Sequence, residues 1–291
     1  MTRNFAKCQT INNLQARDAW DRVASHRQHV TQLLLDAAPS GGRLCILGAG
    51  NCLDVSLDRL LDRFSHIALF DIDLNAMEFG IRQQISDQHP GRQKIQCNVI
   101  DLCGWTGITD PVFESLGTSS PEWQEVLRSI SQFSPSLDDF EPFDVVASNC
   151  LLSQIIAPVL LRQPHDPLQI SLAIEFRRSH LDLMWKLAGQ EGSLVLISDF
   201  VATDTSPELR YLSSDQLGEK MFELIRNGNF FSGLNPQILA AELAGHTRVK
   251  TGKAHPRAHP PWLWHLHESR AYLVIAFSVI NNAKLGGGAC E

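Results

Sequence analysis

The sequence lacks the patterns that mark several large classes of protein. Its seven cysteines, at positions 8, 45, 52, 97, 103, 150 and 290, form no CxxC pair. A disulfide framework or a zinc site is therefore not indicated, and buried reduced thiols in a cytoplasmic protein explain the cysteines. No run approaches the roughly 18 apolar residues of a membrane span, and MTRNFAKCQTINN contains no apolar signal core. We therefore expect a cytoplasmic location and no membrane partner.

An excess of positive charge is also missing. The chain has 25 basic and 32 acidic residues, which gives a formal net charge of −7. Arg177 and Arg178 are the only adjacent basic pair. Such a chain has no general attraction to phosphate backbones, so we expect no nucleic-acid partner.

What is present is the composition of a soluble enzyme with an alternating α/β pattern. Hydrophobic residues make up 44% of the chain and charged residues 20%, and the 291 residues suffice for a single large domain over 1–291. Short apolar runs predict strands, and 3.6-residue periodicity predicts helices between them. The predicted strands are 44–47, 67–70, 95–100, 143–148, 192–198 and 272–280, with a short strand at 246–250. The predicted helices are 16–38, 53–64, 74–88 and 168–188.

This order predicts a three-layer, doubly wound α/β fold whose sheet is mostly parallel and has an antiparallel pair at one edge. Residues 103–141 interrupt the pattern with Ser, Pro, Gly and acidic residues, and we interpret them as an insertion with one helix around 123–133. Residues 200–245 are predicted to be mostly helical and to form an acceptor or lid segment.

The turn after the first predicted strand indicates a binding site. Gly48 and Gly50 permit a sharp turn and a close approach to the main chain, and the following helix offers unpaired N–H groups. The second strand ends at Asp71, 21 residues after Gly50 (71 − 50), and the third strand is followed by Asp101. A carboxylate at this spacing is typical of one that binds a ribose. The alternative is ordinary turn chemistry and helix capping by these same residues.

The segments LCILGAGN, IALFDID, IQCNVIDL, FDVVASNCLLSQI and GSLVLISDF resemble the successive motifs of class I S-adenosylmethionine-dependent methyltransferases over residues 20–200. The stretch YLVIAFSVI is similar to the last, antiparallel strand of that family. The resemblance implies a seven-stranded sheet that binds S-adenosyl-L-methionine at Gly48, Ala49 and Gly50. It further implies the ribose at Asp71 and the adenine amino group at Asp101. Ile72 and Leu102 would lie against the adenine ring, and residues 148–154, including Ser148 and Asn149, would line the methyl-transfer face.

The sequence departs from the family at two positions of the first motif. The family has an acid two residues before the first glycine, where this chain has Ile46, and a third glycine where it has Cys52. Asp54 follows closely and either supplies a carboxylate near the donor's ammonium group or caps a helix. Ser148-Asn149-Cys150-Leu151 stands where many DNA and protein amide methyltransferases have Asp-Pro-Pro-Tyr, which disfavours those substrates.

Methyl transfer from a sulfonium requires alignment and exclusion of water, and it needs a base only if the acceptor keeps its proton. The candidate catalytic residues are Asn149, Gln154 and Asp199, although each could instead end a strand or cap a helix. Cys150 is interpreted as a packed thiol. We expect no metal site, because surface positions beside an edge strand account for the four clustered histidines, His255, His259, His265 and His267.

Three functions remain open at this stage. The first is a methyltransferase for a small-molecule acceptor, with a protein side chain as a further option. The second is an NAD(P)-dependent oxidoreductase, which expects a third glycine where Leu53 stands and gives Asp101 no role. The third is a non-catalytic nucleotide-binding or assembly protein with the same fold. The sequence specifies neither the acceptor nor the oligomeric state.

Overall fold

The computed structural model describes residues 5–104, 121, 125, 128, 129, 132–137, 139–160 and 167–282. Its eight strands in this part of the chain are β1 Arg43–Leu47, β2 His66–Asp71, β3 Ile95–Val99, β4 Val145–Asn149, β5 Ser193–Ala202, β6 Ala254–Ala258, β7 Trp262–His267 and β8 Arg270–Asn281. Its helices are α1 Phe5–Ala16, α2 Ala24–Asp36, α3 Leu57–Arg63, α4 Leu74–Gln84, α5 Leu151–Leu160, α6 Pro167–Ala188, α7 Leu217–Arg226, α8 Pro236–Gly245 and α9 Thr247–Lys250.

The strands form one sheet in the order β3-β2-β1-β4-β5-β8-β6. The first five strands along this order are parallel, whereas β8 runs antiparallel to β5. One side of β8 pairs with β5. The other side pairs with β7 along its first half and with β6 along its second half. Eight strands therefore occupy seven positions, which confirms the predicted mostly parallel sheet with an antiparallel last strand.

Helices cover both faces of the sheet, as the predicted three layers require. In β1, Leu44 and Ile46 belong to one apolar core, and Cys45 and Leu47 belong to the other. Helices α2, α3 and α4 pack on the face of Ile46, and α5 to α8 pack on the face of Leu47. Because side chains alternate along a strand, each buried strand contributes to both cores.

The observed elements differ from the predicted ones at several boundaries. The helix predicted over 16–38 is divided: α1 ends at Ala16, a 3-10 turn spans Arg17–Ala19, and α2 begins at Ala24. Helix α1 buries none of its side chains, so the periodicity of the sequence gave no signal for it. The strand predicted at 246–250 was wrong, because that segment is α9. The His246 side chain accepts a hydrogen bond from the Arg248 amide there and caps the helix.

Other predicted elements changed in length. Strand β5 continues to Ala202, four residues beyond the predicted end at 198 (202 − 198). Helix α5 follows β4 directly and was not predicted. The 200–245 segment contains a 3-10 turn at Pro207–Tyr211 followed by α7 and α8. Most of the segment 103–141, predicted to be an insertion, and of the helix predicted around 123–133 lies outside the described residues.

Candidate functional site

The glycine turn begins where β1 ends and folds back over β2. The amides of Gly48 and Ala49 both donate to the Phe70 carbonyl oxygen, at 2.9 and 3.2 Å. Gly48 has φ +73° and Gly50 has φ +46°, which is the left-handed region that glycine enters at little cost. The predicted reason for glycine at both positions is therefore present in the backbone.

Asp71 lies directly against this turn. Its Oδ2 accepts a hydrogen bond from the Gly50 amide at 2.8 Å, and its Oδ1 accepts one from the Asp73 amide at 2.9 Å. Burial raises the pKa of Asp71 above its ordinary value, although these backbone hydrogen bonds oppose the shift. The glycine turn of β1 and the acid of β2 therefore form one connected unit.

Asp101 lies at the same edge, one strand further along. The Ile100 amide donates to the Asp71 carbonyl oxygen at 3.0 Å, so the segment after β3 stays beside the end of β2. Asp101 Oδ1 accepts from the amides of Cys103 and Gly104, at 3.0 and 2.9 Å, and so orders the turn that follows. The structure thus brings the predicted glycines and both predicted acids to one edge.

Two apolar residues follow these acids, as the resemblance implies. Ile72 is partly exposed, directly after Asp71, and Leu102 is buried, directly after Asp101. Ile72 therefore has exposed surface beside Asp71, whereas Leu102 belongs to the apolar core that also contains Leu47.

Helix α1 covers part of the turn, which the sequence did not indicate. Asn13 donates through Nδ2 to Asp73 Oδ2 at 3.1 Å and accepts from the Asn51 side chain through its main-chain oxygen at 2.5 Å. A Cβ on Gly50 would lie 3.1 Å from Asn13 Oδ1, and one on Gly48 would lie 3.1 Å from the Leu151 side chain. The bend is therefore closely bordered by these two side chains.

The loop after the turn is hydrogen-bonded to Gln84, the last residue of α4. The Gln84 side chain donates to the Cys52 carbonyl oxygen and accepts from the Leu57 amide, each at 2.8 Å. Cys52, the residue in place of the family's third glycine, adopts φ +53°. Tertiary contacts thus impose a left-handed conformation that costs a side-chain-bearing residue about 1–2 kcal/mol.

Asp54 does not cap α3. That helix has Ser56 at its N-cap, without a side-chain hydrogen bond. Asp54 is instead partly exposed, and its Oδ1 lies 3.4 Å from Nε2 of the buried His26. Of the two interpretations of Asp54, helix capping is therefore the one that the structure does not support.

The last two residues of β4, Ser148 and Asn149, face different sides of the sheet. The Ser148 hydroxyl bonds to His180 Nε2 at 2.8 Å, so its side chain lies on the face of the sheet that α6 covers. Asn149 is buried, and its Oδ1 has no hydrogen-bond partner among the described residues. Gln154 donates through Nε2 to the Cys150 carbonyl oxygen at 3.2 Å. The Oδ1 atom of Asn149 is therefore a buried acceptor that a ligand could satisfy.

Asp199 is a buried carboxylate at the carboxyl edge, on the next strand. Its Oδ1 accepts a hydrogen bond from the Ser153 hydroxyl at 2.6 Å. Burial raises the pKa of Asp199 to about 6, and the Ser153 hydrogen bond and the electrostatic contribution of Arg270 oppose the shift. Burial likewise raises the pKa of the Cys150 thiol, with a further increase from Asp199. Cys150 is therefore a thiol at neutral pH, consistent with packing and not with a nucleophile.

The raised pKa of Asp199 gives the first testable expectation. A carboxyl group whose folded-state pKa lies above its unfolded-state pKa stabilises the fold at low pH, and this contribution is lost as the pH rises through about 6. When the pH is lowered from about 7.5 to about 5, the free energy of unfolding of wild type should rise by about 1 kcal/mol relative to that of Asp199→Asn. Urea denaturation of both proteins at several pH values measures this difference. Parallel curves would contradict the raised pKa.

The four clustered histidines do not form a metal site in the described residues, where no group of three or more His, Cys, Asp or Glu side chains converges. Three of them are exposed, and the partly buried His259 bonds through Nε2 to the Ser278 hydroxyl at 2.9 Å. No disulfide joins the cysteines of this part of the chain. None of its helices is both long and apolar enough to cross a bilayer.

Comparisons with known proteins give matches only at the level of structure. No family model matches the sequence, and a search of curated proteins finds no match. The N-methyltransferase NodS of Bradyrhizobium japonicum WM9, solved with S-adenosyl-L-homocysteine, aligns with a TM-score of 0.46 and 12% identity over 96% of this chain and 100% of its own. An O-methyltransferase of Bacillus cereus, also with S-adenosyl-L-homocysteine, aligns with a TM-score of 0.41 and 11% identity over 94% and 91%.

A third solved structure is an rRNA methylase of Streptococcus thermophilus, with a TM-score of 0.37 and 10% identity over 86% of this chain and 94% of its own. These values describe a likeness of fold, and the three proteins are an N-methyltransferase, an O-methyltransferase and an rRNA methylase. The chain is thus similar in fold to structures of methyltransferases, two of them solved with S-adenosyl-L-homocysteine.

Proposed function

We propose that the protein is an S-adenosyl-L-methionine-dependent methyltransferase that acts on a small-molecule acceptor, or on a protein side chain. The 2.8 Å hydrogen bond between the Gly50 amide and Asp71 Oδ2 carries this proposal. It joins a left-handed glycine turn to the strand-end acid, and Asp101 lies at the same edge. In open α/β sheets, ligands bind at the carboxyl ends of the strands.

The residues at this edge fit a nucleoside with an amino-acid tail. A carboxylate offers about four lone-pair sites, and the two backbone amides at Asp71 use two of them. That leaves capacity for the two hydroxyls of a ribose. Asn51 and Asn149 each have a buried Oδ1 without a hydrogen-bond partner in the described part of the chain, and such atoms suit the N–H groups of a ligand.

The roles follow from these positions. Asp71 would bind the ribose and Asp101 the adenine amino group, with Ile72 and Leu102 against the ring. The turn Gly48-Ala49-Gly50 would lie against the tail of the donor. Asp54, Ser148 and Asn149 complete the proposed set, Ser148 through its main chain because its side chain bonds to His180.

The bound donor would supply a methyl group already activated on a sulfonium sulfur. The protein then has to align the acceptor and keep water out. Asp199 is the residue suited to take a proton from an acceptor, because its carboxylate is buried and its pKa of about 6 lies near neutrality. Asn149 and Gln154 would position the acceptor or the donor beside it.

The sheet supports this proposal over an oxidoreductase. The common dinucleotide-binding fold has the strand order 3-2-1-4-5-6. Here the antiparallel β8 lies between β5 and β6. The pairing of β5 with β8 is irregular between Asp199 and Val201, next to the residue proposed to take a proton from the acceptor.

A non-catalytic nucleotide-binding or assembly protein is the second candidate. It is favoured by the side chains that border the turn, since Asn13 lies over Gly50 and Leu151 over Gly48. The left-handed backbone at Cys52, where the family has glycine, also favours a non-catalytic protein. Under this alternative the donor would bind without turnover on any acceptor.

Titration calorimetry separates these functions. Wild-type protein is expected to bind S-adenosyl-L-methionine and its demethylated product, and to give no heat with NAD+ or NADP+. Binding of a nicotinamide cofactor alone would replace the proposal by the oxidoreductase. Donor binding without methyl transfer to a broad panel of amines, phenols, thiols and peptides would favour the non-catalytic protein.

A further inference from the structure

A buried imidazole lies beside the loop that follows the glycine turn. His26 on α2 is 1% exposed, and its Nδ1 lies 3.0 Å from the indole Nε1 of Trp262 on β7. Its ring stacks on Trp264 with 4.7 Å between centroids. Its Nε2 lies 3.4 Å from Asp54 Oδ1. Three distant parts of the chain thus meet at this one histidine.

The Trp262 contact determines the tautomer of the neutral imidazole. An indole N–H can only donate, so Nδ1 of His26 must accept. The remaining ring proton is then on Nε2, which faces Asp54. Nε2 has no hydrogen bond of normal geometry in the described part of the chain, and Asp54 is the carboxylate within 4 Å of it. The geometry therefore directs an N–H group at Asp54.

Asp54 lies between the glycine loop and the end of β4. Its negative charge adds to the burial that raises the pKa of both the Cys52 and the Cys150 thiol. Arg27 is close, but its NH1 donates to the carbonyl oxygens of Trp20 and Leu53, and no ion pair links it to Asp54 among the described side chains. The Asp54 carboxylate therefore keeps acceptor capacity beyond its contact with His26.

We propose that His26, fixed by Trp262, is a positioning residue that orients Asp54 as the counter-charge for the ammonium group of the donor's amino-acid tail. This inference rests on the proposed methyl-donor site. An ammonium group taken out of water needs a negative counter-charge, and the end of β1, Leu44–Leu47, has no acidic side chain. Asp54 supplies it from the adjoining loop, on the same face of the sheet as Ile46.

The test compares two ligands by calorimetry. S-adenosyl-L-homocysteine has the ammonium-bearing tail, whereas 5′-methylthioadenosine has the same adenosine and sulfur without it. His26→Phe keeps a ring against Trp264 and removes both nitrogens. We expect the dissociation constant of S-adenosyl-L-homocysteine to rise roughly tenfold, and that of 5′-methylthioadenosine to change less than about twofold. Asp54→Asn should give the same selective loss.

His29→Phe is the matched control. His29 is exposed on the same helix and stacks on Trp262 with 5.4 Å between centroids, yet no contact joins it to Asp54 in the described residues. This variant should bind both ligands like wild type. Circular dichroism and thermal melting verify the fold of each variant. If His26→Phe does not fold, Trp262→Phe replaces it in the test, because it leaves His26 in place but removes the indole N–H that fixes its tautomer. This variant should selectively weaken the binding of S-adenosyl-L-homocysteine.

Nitrogen-15 NMR of the wild-type histidines gives a readout without any ligand. The Nε2–H tautomer at His26 supports the proposal, and an Nδ1–H tautomer overturns it. Equal losses for both ligands in His26→Phe, or no loss for either, also overturn it. Wild type that binds neither ligand overturns the proposed function itself. Wild type that binds both equally well removes only the tail subsite.

Discussion

Replacing Asp71 by alanine is expected to weaken binding of S-adenosyl-L-homocysteine by roughly 1.5–3 kcal/mol, or about ten- to 150-fold. The carboxylate would lose its bonds to the ribose. It would also stop ordering the turn, because the amides of Gly50 and Asp73 donate to it at 2.8 and 2.9 Å. Two amides without acceptors should lower the free energy of unfolding by about 1–3 kcal/mol. Calorimetry and urea denaturation measure the two effects separately.

Asp87→Ala is the matched control, since Asp87 is an exposed acidic residue close by in sequence. It removes the same charge and should leave both quantities unchanged within about 0.5 kcal/mol. A normal dissociation constant for Asp71→Ala, with the expected loss of stability, would restrict Asp71 to a structural role. The proposed ribose site would then be wrong.

Replacing Gly80 by alanine is expected to cost about 3 kcal/mol or more of stability. Gly80 lies on α4 against the loop that follows the glycine turn. A Cβ there would lie 2.1 Å from the Asn51 main-chain oxygen and 2.9 Å from Cys52 Cβ. Since the closest atom belongs to the backbone, the loop or the helix must move. Donor binding should weaken as well, because this loop shapes the proposed site.

Gly218→Ala is the opposite case on another helix. Nothing lies within 4 Å of a Cβ at Gly218, near the start of α7. Alanine there should raise the free energy of unfolding by about 0.5 kcal/mol, because it restricts the unfolded chain. Thermal melting of the two variants side by side compares them directly. If Gly80→Ala and Gly218→Ala changed the stability by similar amounts, the contact between Gly80 and the Asn51 main chain would not be as close as described.

The meeting of the glycines, Asp71 and Asp101 could be predicted because it follows from topology. Parallel strands place their carboxyl ends at one edge, so residues that follow consecutive strands must be neighbours. His26 was within reach of the same kind of argument. It lies on the buried stripe of α2 together with Val30 and Leu34, and a polar residue on such a stripe requires a partner.

Other parts of the site depend on contacts that no local pattern encodes. Asn13 reaches Gly50 from a helix without buried side chains, so neither apolar periodicity nor composition indicates it. The sequence did not indicate which face of the sheet Ser148 occupies; in the structure it shares the face of Val146 and bonds to His180. The segment 246–250 contains a β-branched valine between polar residues. His246 nevertheless caps a helix there, so a local side-chain bond overrides the propensity.

The strand that closes one side of the sheet is poorly suited to recruiting another chain. β6 has five residues, and one of them, Pro256, has no N–H to offer an incoming strand. Exposed Arg257 and His255 flank that proline, and charged residues and prolines discourage edge-to-edge association. Two further prolines, Pro260 and Pro261, separate β6 from β7 and keep the border discontinuous. This edge of the sheet is thus protected against the strand-by-strand growth that leads to fibrils.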